Sequence, residues 1–156
     1  MFECFTGLGK TATVCYALRK LVEKDAERFG KILVVCPLAV LEFWKAEFYN
    51  VGFKGKVCIY HSDFAEESIP ISECDVAIST YHGVVDADVS LFNSVVLDEA
   101  HDPLRNGKTQ VFKFFTEQLA TKPVRTHLLC LPLALQSASV LPALPSLVAC
   151  SVLTLI

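Results

Sequence analysis

Along the first 125 residues, short apolar runs alternate with segments in which apolar positions recur every three or four residues. Ile32-Leu33-Val34-Val35-Cys36 has no polar interruption, is rich in β-branched side chains and is stopped by Pro37. Val57 to Tyr60, Asp75 to Ser79 and Ser94 to Asp98 share the pattern. Runs of this length without polar alternation suit strands covered on both faces, as in a parallel sheet. Between them, Thr13 to Phe29 sets Val14, Ala17, Leu18, Leu21 and Val22 on one helical face, charged residues outside it, and Gly30 as a stop. Val40 to Tyr49 places Leu41, Trp44 and Phe48 in register, so Trp44 and Phe48 read as helix core rather than as base-stacking groups. Lys108 to Thr121 repeats the pattern with Val111, Phe112, Phe115 and Leu119. Strands alternating with helices imply right-handed βαβ crossovers and an α/β fold around a parallel sheet. His61 to Glu73 is polar and acidic and reads as a surface connection.

The chain has 156 residues, 53% of them hydrophobic and 20% charged, enough for one domain with a real core and too apolar for disorder over most of its length. A net charge of −3 excludes a polybasic nucleic-acid binder, so any such contact is local, through backbone amides and a few side chains. The seven cysteines (Cys4, Cys15, Cys36, Cys58, Cys74, Cys130, Cys150) form no C-x-x-C, are odd in number and sit largely in apolar runs. They read as buried free thiols of a reducing compartment, nucleus or cytoplasm, and argue against disulfides and zinc. The four histidines are scattered and outline no metal site. No basic stretch leads into an apolar core at the start, so no signal peptide is expected.

Gly7-Leu8-Gly9-Lys10-Thr11 stands between a short apolar stretch, Phe2 to Phe5, and an amphipathic helix. Glycines there let successive N–H groups turn toward phosphate oxygens, and the helix start adds its positive end. Lys10 would reach the β and γ phosphates, and the Thr11 hydroxyl would ligate Mg²⁺. The full G-x-x-x-x-G-K-T pattern is not met, because Cys4 holds the first glycine position. By itself the string also reads as a Gly-rich turn capped by Thr11. Val95-Val96-Leu97-Asp98-Glu99-Ala100-His101 supplies a second motif: an acidic pair at the carboxyl end of a buried strand, where ligands of open α/β sheets bind. An Asp there can hold Mg²⁺, and the neighbouring Glu can polarise an attacking water.

With these two strings in order, the chain resembles the N-terminal ATPase lobe of the Swi/Snf-type ATPases, DNA-dependent motors of helicase superfamily two that include chromatin remodellers and repair translocases. Gly7 to Thr11, the string from Ile32 to Phe48, Asp75 to Val84 with its Ser79-Thr80-Tyr81, and Val95 to His101 carry the resemblance, over about residues 5–128. It implies a three-layer RecA-like (P-loop NTPase) parallel sheet with flanking helices, as an incomplete lobe over residues 1–125. It implies ATP and Mg²⁺ as cofactors, with Gly7, Leu8, Gly9, Lys10 and Thr11 on the phosphates. Thr11 and Asp98 would serve the metal, Glu99 would activate water, and His101 would couple the nucleotide site to the rest of the motor. Pro37 and Leu38, with Ser79, Thr80 and Tyr81, match loops that track a DNA backbone in the family. Double-stranded DNA, nucleosomes and a second RecA-like lobe are the implied partners, and the nucleus the implied location.

Several positions depart from the family. Cys4-Phe5-Thr6 replaces Asp-Glu-Met, and Asp102-Pro103-Leu104-Arg105-Asn106 replaces a basic string after the acidic box. Arg125 to Leu129 begins like the strand leading to Thr-Gly-Thr-Pro, but Leu131-Pro132-Leu133 follows. With neither the second lobe nor its arginine finger encoded, the chain is expected to lack DNA-stimulated turnover on its own; the rival expectation is a catalytically inactive nucleotide-binding or interaction fragment or isoform. Residues 126–156 carry no Lys, Arg, Asp or Glu. Three readings of this tail stay open: a membrane segment, a native final strand and helix, or sequence outside the family's reading frame. Pro132, Pro142 and Pro145 argue against a membrane span, and the abrupt loss of charge favours the last reading.

Overall fold

The computed structural model describes residues 9–67, 70–85, 87–100, 103, 107–121 and 126–130. Five parallel strands form one sheet: β1 (Ile32–Val35), β2 (Val57–Tyr60), β3 (Val76–Ser79), β4 (Ser94–Asp98) and β5 (Thr126–Cys130), in the order β2-β3-β1-β4-β5. Three of the four expected strands lose at most one terminal residue and β4 none. β5 begins at the first residue of the uncharged segment and pairs with β4 from Ser94↔Thr126 to Asp98↔Cys130. Residues 131–156 lie outside the described residues, and with them most of the tail whose reading the sequence leaves open. No helix among the described residues is long and apolar enough to cross a membrane.

Alternation along the strands divides the core into two clusters. Ile32 and Val34 on β1, Val76 and Ile78 on β3 and Val96 on β4 face one side, where α1 (Lys10–Lys24) contributes Val14, Cys15 and Leu18, and α3 (Leu41–Asn50) contributes Leu41, Trp44 and Phe48. Leu33, Val35, Ala77, Val95 and Leu97 face the other side and meet Tyr81, Val84, Phe92 and, from α4 (Gln110–Thr121), Val111 and Phe115. Sheet with helices on both faces is the three-layer α/β architecture. Trp44 and Phe48 are 1% and 0% exposed, as their helical spacing requires of core residues. Burying a side chain of this size contributes about 1.5–3 kcal/mol, which is why the apolar runs and stripes dictate the layers.

The first helix differs from its expectation. It starts at Lys10 and breaks at Asp25, after which α2 (Ala26–Phe29) is a separate turn. The physical reason is local: the Asp25 carboxylate accepts from Arg28 N at 3.0 Å, an N-cap that competes with continuing the helix. Gly30 ends the segment where a Cβ would run into the Ala26 carbonyl. α3 closes on Gly52, at φ +79, and the reversal returns Phe53 to the core with its ring 5.4 Å from Phe48. Thr109 caps α4 by accepting from Phe112 N at 3.1 Å.

The expectation of free cysteines is corrected at one pair. Cys58 on β2 and Cys74, just before β3, form a disulfide with Cα atoms 6.1 Å apart. They are 16 residues apart in sequence, a spacing no short motif marks, and adjacent parallel strands bring them within bridging distance. Cys15 and Cys36 are buried thiols outside any disulfide.

Candidate functional site

α1 delivers the chain to the amino end of β1, so its own amino end points toward the carboxyl edge of the sheet. Its carboxyl half confirms the direction: Arg19, Val22 and Glu23 line a cavity of about 530 Å³ together with Lys31, Asp75 and Asn93, residues at the amino ends of β1, β3 and β4. The α1 start is built by Gly9 in the left-handed region, φ 70, with no side-chain cap and no acidic residue in the first turn. A Cβ at Gly9 would meet nothing within 4 Å, so conformation, rather than crowding, is what favours glycine. The Thr13 hydroxyl donates back to the Gly9 carbonyl at 2.9 Å and tightens this turn. An uncapped helix start leaves N–H groups directed outward with the positive end of the helix dipole. Lys10 and Thr11 are half-buried at this end; Gly7 and Leu8 lie outside the described residues.

Asp98 closes β4 at the same carboxyl edge, and Glu99 follows at φ 51, a left-handed conformation that a non-glycine residue adopts at a cost. Asp98 is two residues beyond Val96 and so faces the α1 and α3 layer. There its Oδ2 accepts from the indole Nε1 of Trp44 at 2.9 Å. Its backbone carbonyl accepts from the Tyr81 hydroxyl at 2.8 Å. Cys36, which follows the adjacent β1, has its thiol pushed up to about 12, first by burial and then by the Asp98 carboxylate, so it stays protonated at neutral pH. His101 lies outside the described residues.

The loops singled out beside the box occupy the same edge but differ in what they offer. Pro37 and Leu38 follow β1 and are exposed, Leu38 at 52%. Ser79 is fully buried and donates to the Tyr60 carbonyl at 2.9 Å. Thr80 accepts from Gly83 N at 3.0 Å, and a Cβ on Gly83 would sit 3.0 Å from Ser79 Oγ, so the glycine lets this loop close. Tyr81 is 5% exposed, with its ring 5.8 Å from Phe115. The side-chain oxygens of Ser79, Thr80 and Tyr81 are therefore engaged inside the protein, and of this string only Thr80 is half-exposed.

Trp44 is the residue that sequence reasoning left in the core. A buried indole N–H needs an acceptor, which was the available signal. The acceptor stands 54 residues away on another element, so nothing local names it.

Among the described residues no three His, Cys, Asp or Glu side chains gather as a metal cluster. A hydroxyl and one carboxylate, both hard oxygen donors, suit a magnesium ion that completes its shell with phosphate oxygens and water.

Comparison with known proteins identifies the family. The family model "SNF2-related domain" matches residues 5–131. The chain is 31% identical over 109 residues to the DNA repair protein RAD5A of Arabidopsis thaliana, covering 60% of this chain and 10% of that protein. It is 26% identical over 124 residues to Switch 2 of the same plant, covering 69% and 14%. The solved SWI2/SNF2 ATPase core of Sulfolobus solfataricus, in complex with dsDNA, superposes with a TM-score of 0.66 at 25% identity, over 81% of this chain and 26% of that one. The chain thus spans between a tenth and about a quarter of the relatives it matches. The chain, an α/β sheet of RecA-like form, belongs to the SNF2-related family of ATPases, within helicase superfamily two.

Proposed function

We propose that the chain is the nucleotide-binding lobe of a motor that couples ATP hydrolysis to translocation on double-stranded DNA, in chromatin remodelling or DNA repair in the nucleus. The observation that carries the reading is that the uncapped start of α1 and the Asp98–Glu99 pair both lie toward the carboxyl edge of the sheet. In this reading the Gly7-Leu8-Gly9 backbone and the Lys10 ammonium bind the phosphates. Thr11 and Asp98 hold Mg²⁺, which neutralises charge on the transferring phosphoryl group when bound. Glu99 orients the water, and His101 links the site to the rest of the motor. Of the residues singled out on the adjoining loops, Pro37, Leu38 and Thr80 remain open to a DNA backbone, while Ser79 and Tyr81 shape those loops from inside. Such contacts read phosphate and no sequence, consistent with a chain of net charge −3. Support for the DNA partner comes from the Sulfolobus core, solved in complex with dsDNA, and for repair from the likeness to RAD5A. Nucleosomes and a second lobe complete the proposed assembly.

Calorimetric titration of the chain with ATP analogues tests the reading. Lys10→Ala removes the cation that follows Gly9 and should abolish binding with the far-UV spectrum unchanged. Equal affinity in the two proteins would refute the phosphate-loop assignment.

A further inference from the structure

The carboxylate at the end of β4 is held from a helix that the nucleotide reading leaves idle. Trp44 lies on α3, 1% exposed, among Leu41, Phe48, Cys36 and Val96. In so apolar a setting the indole N–H must find an acceptor or remain unpaired at a cost. The acceptor is Asp98 Oδ2, at 2.9 Å. The tryptophan thus reaches past the cluster's apolar side chains to the charged group at its rim. A charge-assisted hydrogen bond from a side chain that cannot itself move is an orienting device: α3 packing fixes the ring, and the ring fixes the carboxylate torsion. Tyr81 meanwhile pins the Asp98 main chain from the opposite face of the sheet, at 2.8 Å. Asp98 is therefore held at two points, side chain and carbonyl, by two elements on different layers.

We infer that Trp44 is a positioning residue for the magnesium ion of the nucleotide complex: its indole N–H holds Asp98 Oδ2 and presents the remaining carboxylate oxygen to the metal or its water. The inference rests on the proposed Mg·nucleotide reading of this edge. It assigns to α3 a part in cation binding rather than core packing alone. Without the N–H, Asp98 samples its rotamers freely, and each cation-binding event must first select one. Losing an orienting partner of a metal ligand typically weakens metal affinity by about 10–100-fold.

The full chain has one tryptophan, so its emission reports this contact directly. The test titrates ADP by calorimetry, once with magnesium and once with EDTA, into wild type and Trp44→Phe. The variant keeps an aromatic ring and deletes the donor. The expected result is unchanged ADP affinity in EDTA and an approximately 10-fold smaller gain on adding magnesium. In wild type, Mg·ADP should change the tryptophan emission where ADP with EDTA does not, and Asp98→Ala should erase that change. A Trp44→Phe chain that retains the full magnesium gain would overturn the inference. So would an equal loss with and without magnesium, which is what a packing role alone predicts. If Trp44→Phe does not fold, the wild-type emission decides: no response to Mg·ADP that binds rejects the role. Folded wild type that binds no ADP in either condition would instead sink the nucleotide reading, and this inference with it.

Discussion

Removing one oxygen, by Tyr81→Phe, separates two roles for the loop after β3. The hydroxyl donates to the Asp98 carbonyl at 2.8 Å, and the ring packs on Phe115 with centroids 5.8 Å apart. Tyr81 is 5% exposed, so the oxygen sits where water reaches it poorly. Phenylalanine keeps the ring and opens no cavity, so the cost is that of a buried carbonyl losing a donor, about 1–3 kcal/mol. With a urea m value of about 1–3 kcal/mol/M for a domain of this size, the unfolding midpoint should fall by on the order of 1 M. The assay is equilibrium urea unfolding followed by far-UV circular dichroism, with DNA binding measured on the same two proteins. If Tyr81 is an internal strut, the midpoint drops and the affinity of the folded protein for a DNA duplex is retained. If instead the hydroxyl serves a DNA phosphate, the affinity falls and the midpoint stays. A wild-type midpoint in Tyr81→Phe would refute the claim that this bond holds the end of β4. The larger change Tyr81→Ala adds the loss of the ring, about 3–5 kcal/mol for an aromatic side chain of this kind, and should leave little folded protein.

Other outcomes follow from single contacts. A chain ending at Arg125 lacks β5 and exposes the edge of β4 next to Asp98, so it should unfold at lower urea than a chain ending at Cys130; equal midpoints would show that β5 contributes nothing. Gly52→Ala forces a Cβ into the left-handed region and to 3.1 Å from Arg19 Nη1, and should cost about 1–2 kcal/mol by thermal or urea unfolding. Cys36 should resist alkylation in the native state at neutral pH, because burial and the Asp98 charge keep it protonated, and react once urea unfolds the chain; fast native labelling at Cys36 would contradict its placement. Peptide mapping without reductant should recover the Cys58–Cys74 crosslink, and its absence from oxidised protein would reject that pairing.

Strand positions were legible because a strand buried on both faces announces itself as an unbroken apolar run, and β1 to β4 each do. Helix faces were legible for the same reason at the helical period: Leu41, Trp44 and Phe48 are all buried. The break at Asp25 was legible in principle, since Asp is a preferred N-cap residue and an acidic residue, Glu27, follows in the next turn, but the apolar stripe running through it outweighed that signal. The motifs at Gly7 to Thr11 and at Asp98 to His101 were readable as strings, because the residues of each stand side by side in the sequence.

Chemistry that acts within a few residues along the chain, and periodicity that reports burial, are written locally; these the amino-acid order determined, together with the α/β class. The order β2-β3-β1-β4-β5 was decided in three dimensions, since apolar runs do not say which neighbour each strand takes. So were the contacts across that order. Ser79 and Tyr81 look like free hydroxyls beside a strand end, and only the closeness of Tyr60 and of Asp98 turns them inward. Cys58 meets Cys74 because β2 lies beside β3. Trp44 meets Asp98 because α3 packs on the face to which period two along β4 turns that carboxylate. Hydrogen bonds and disulfides need atoms within a few ångströms, and between residues tens of positions apart it is the packing of layers that supplies this proximity.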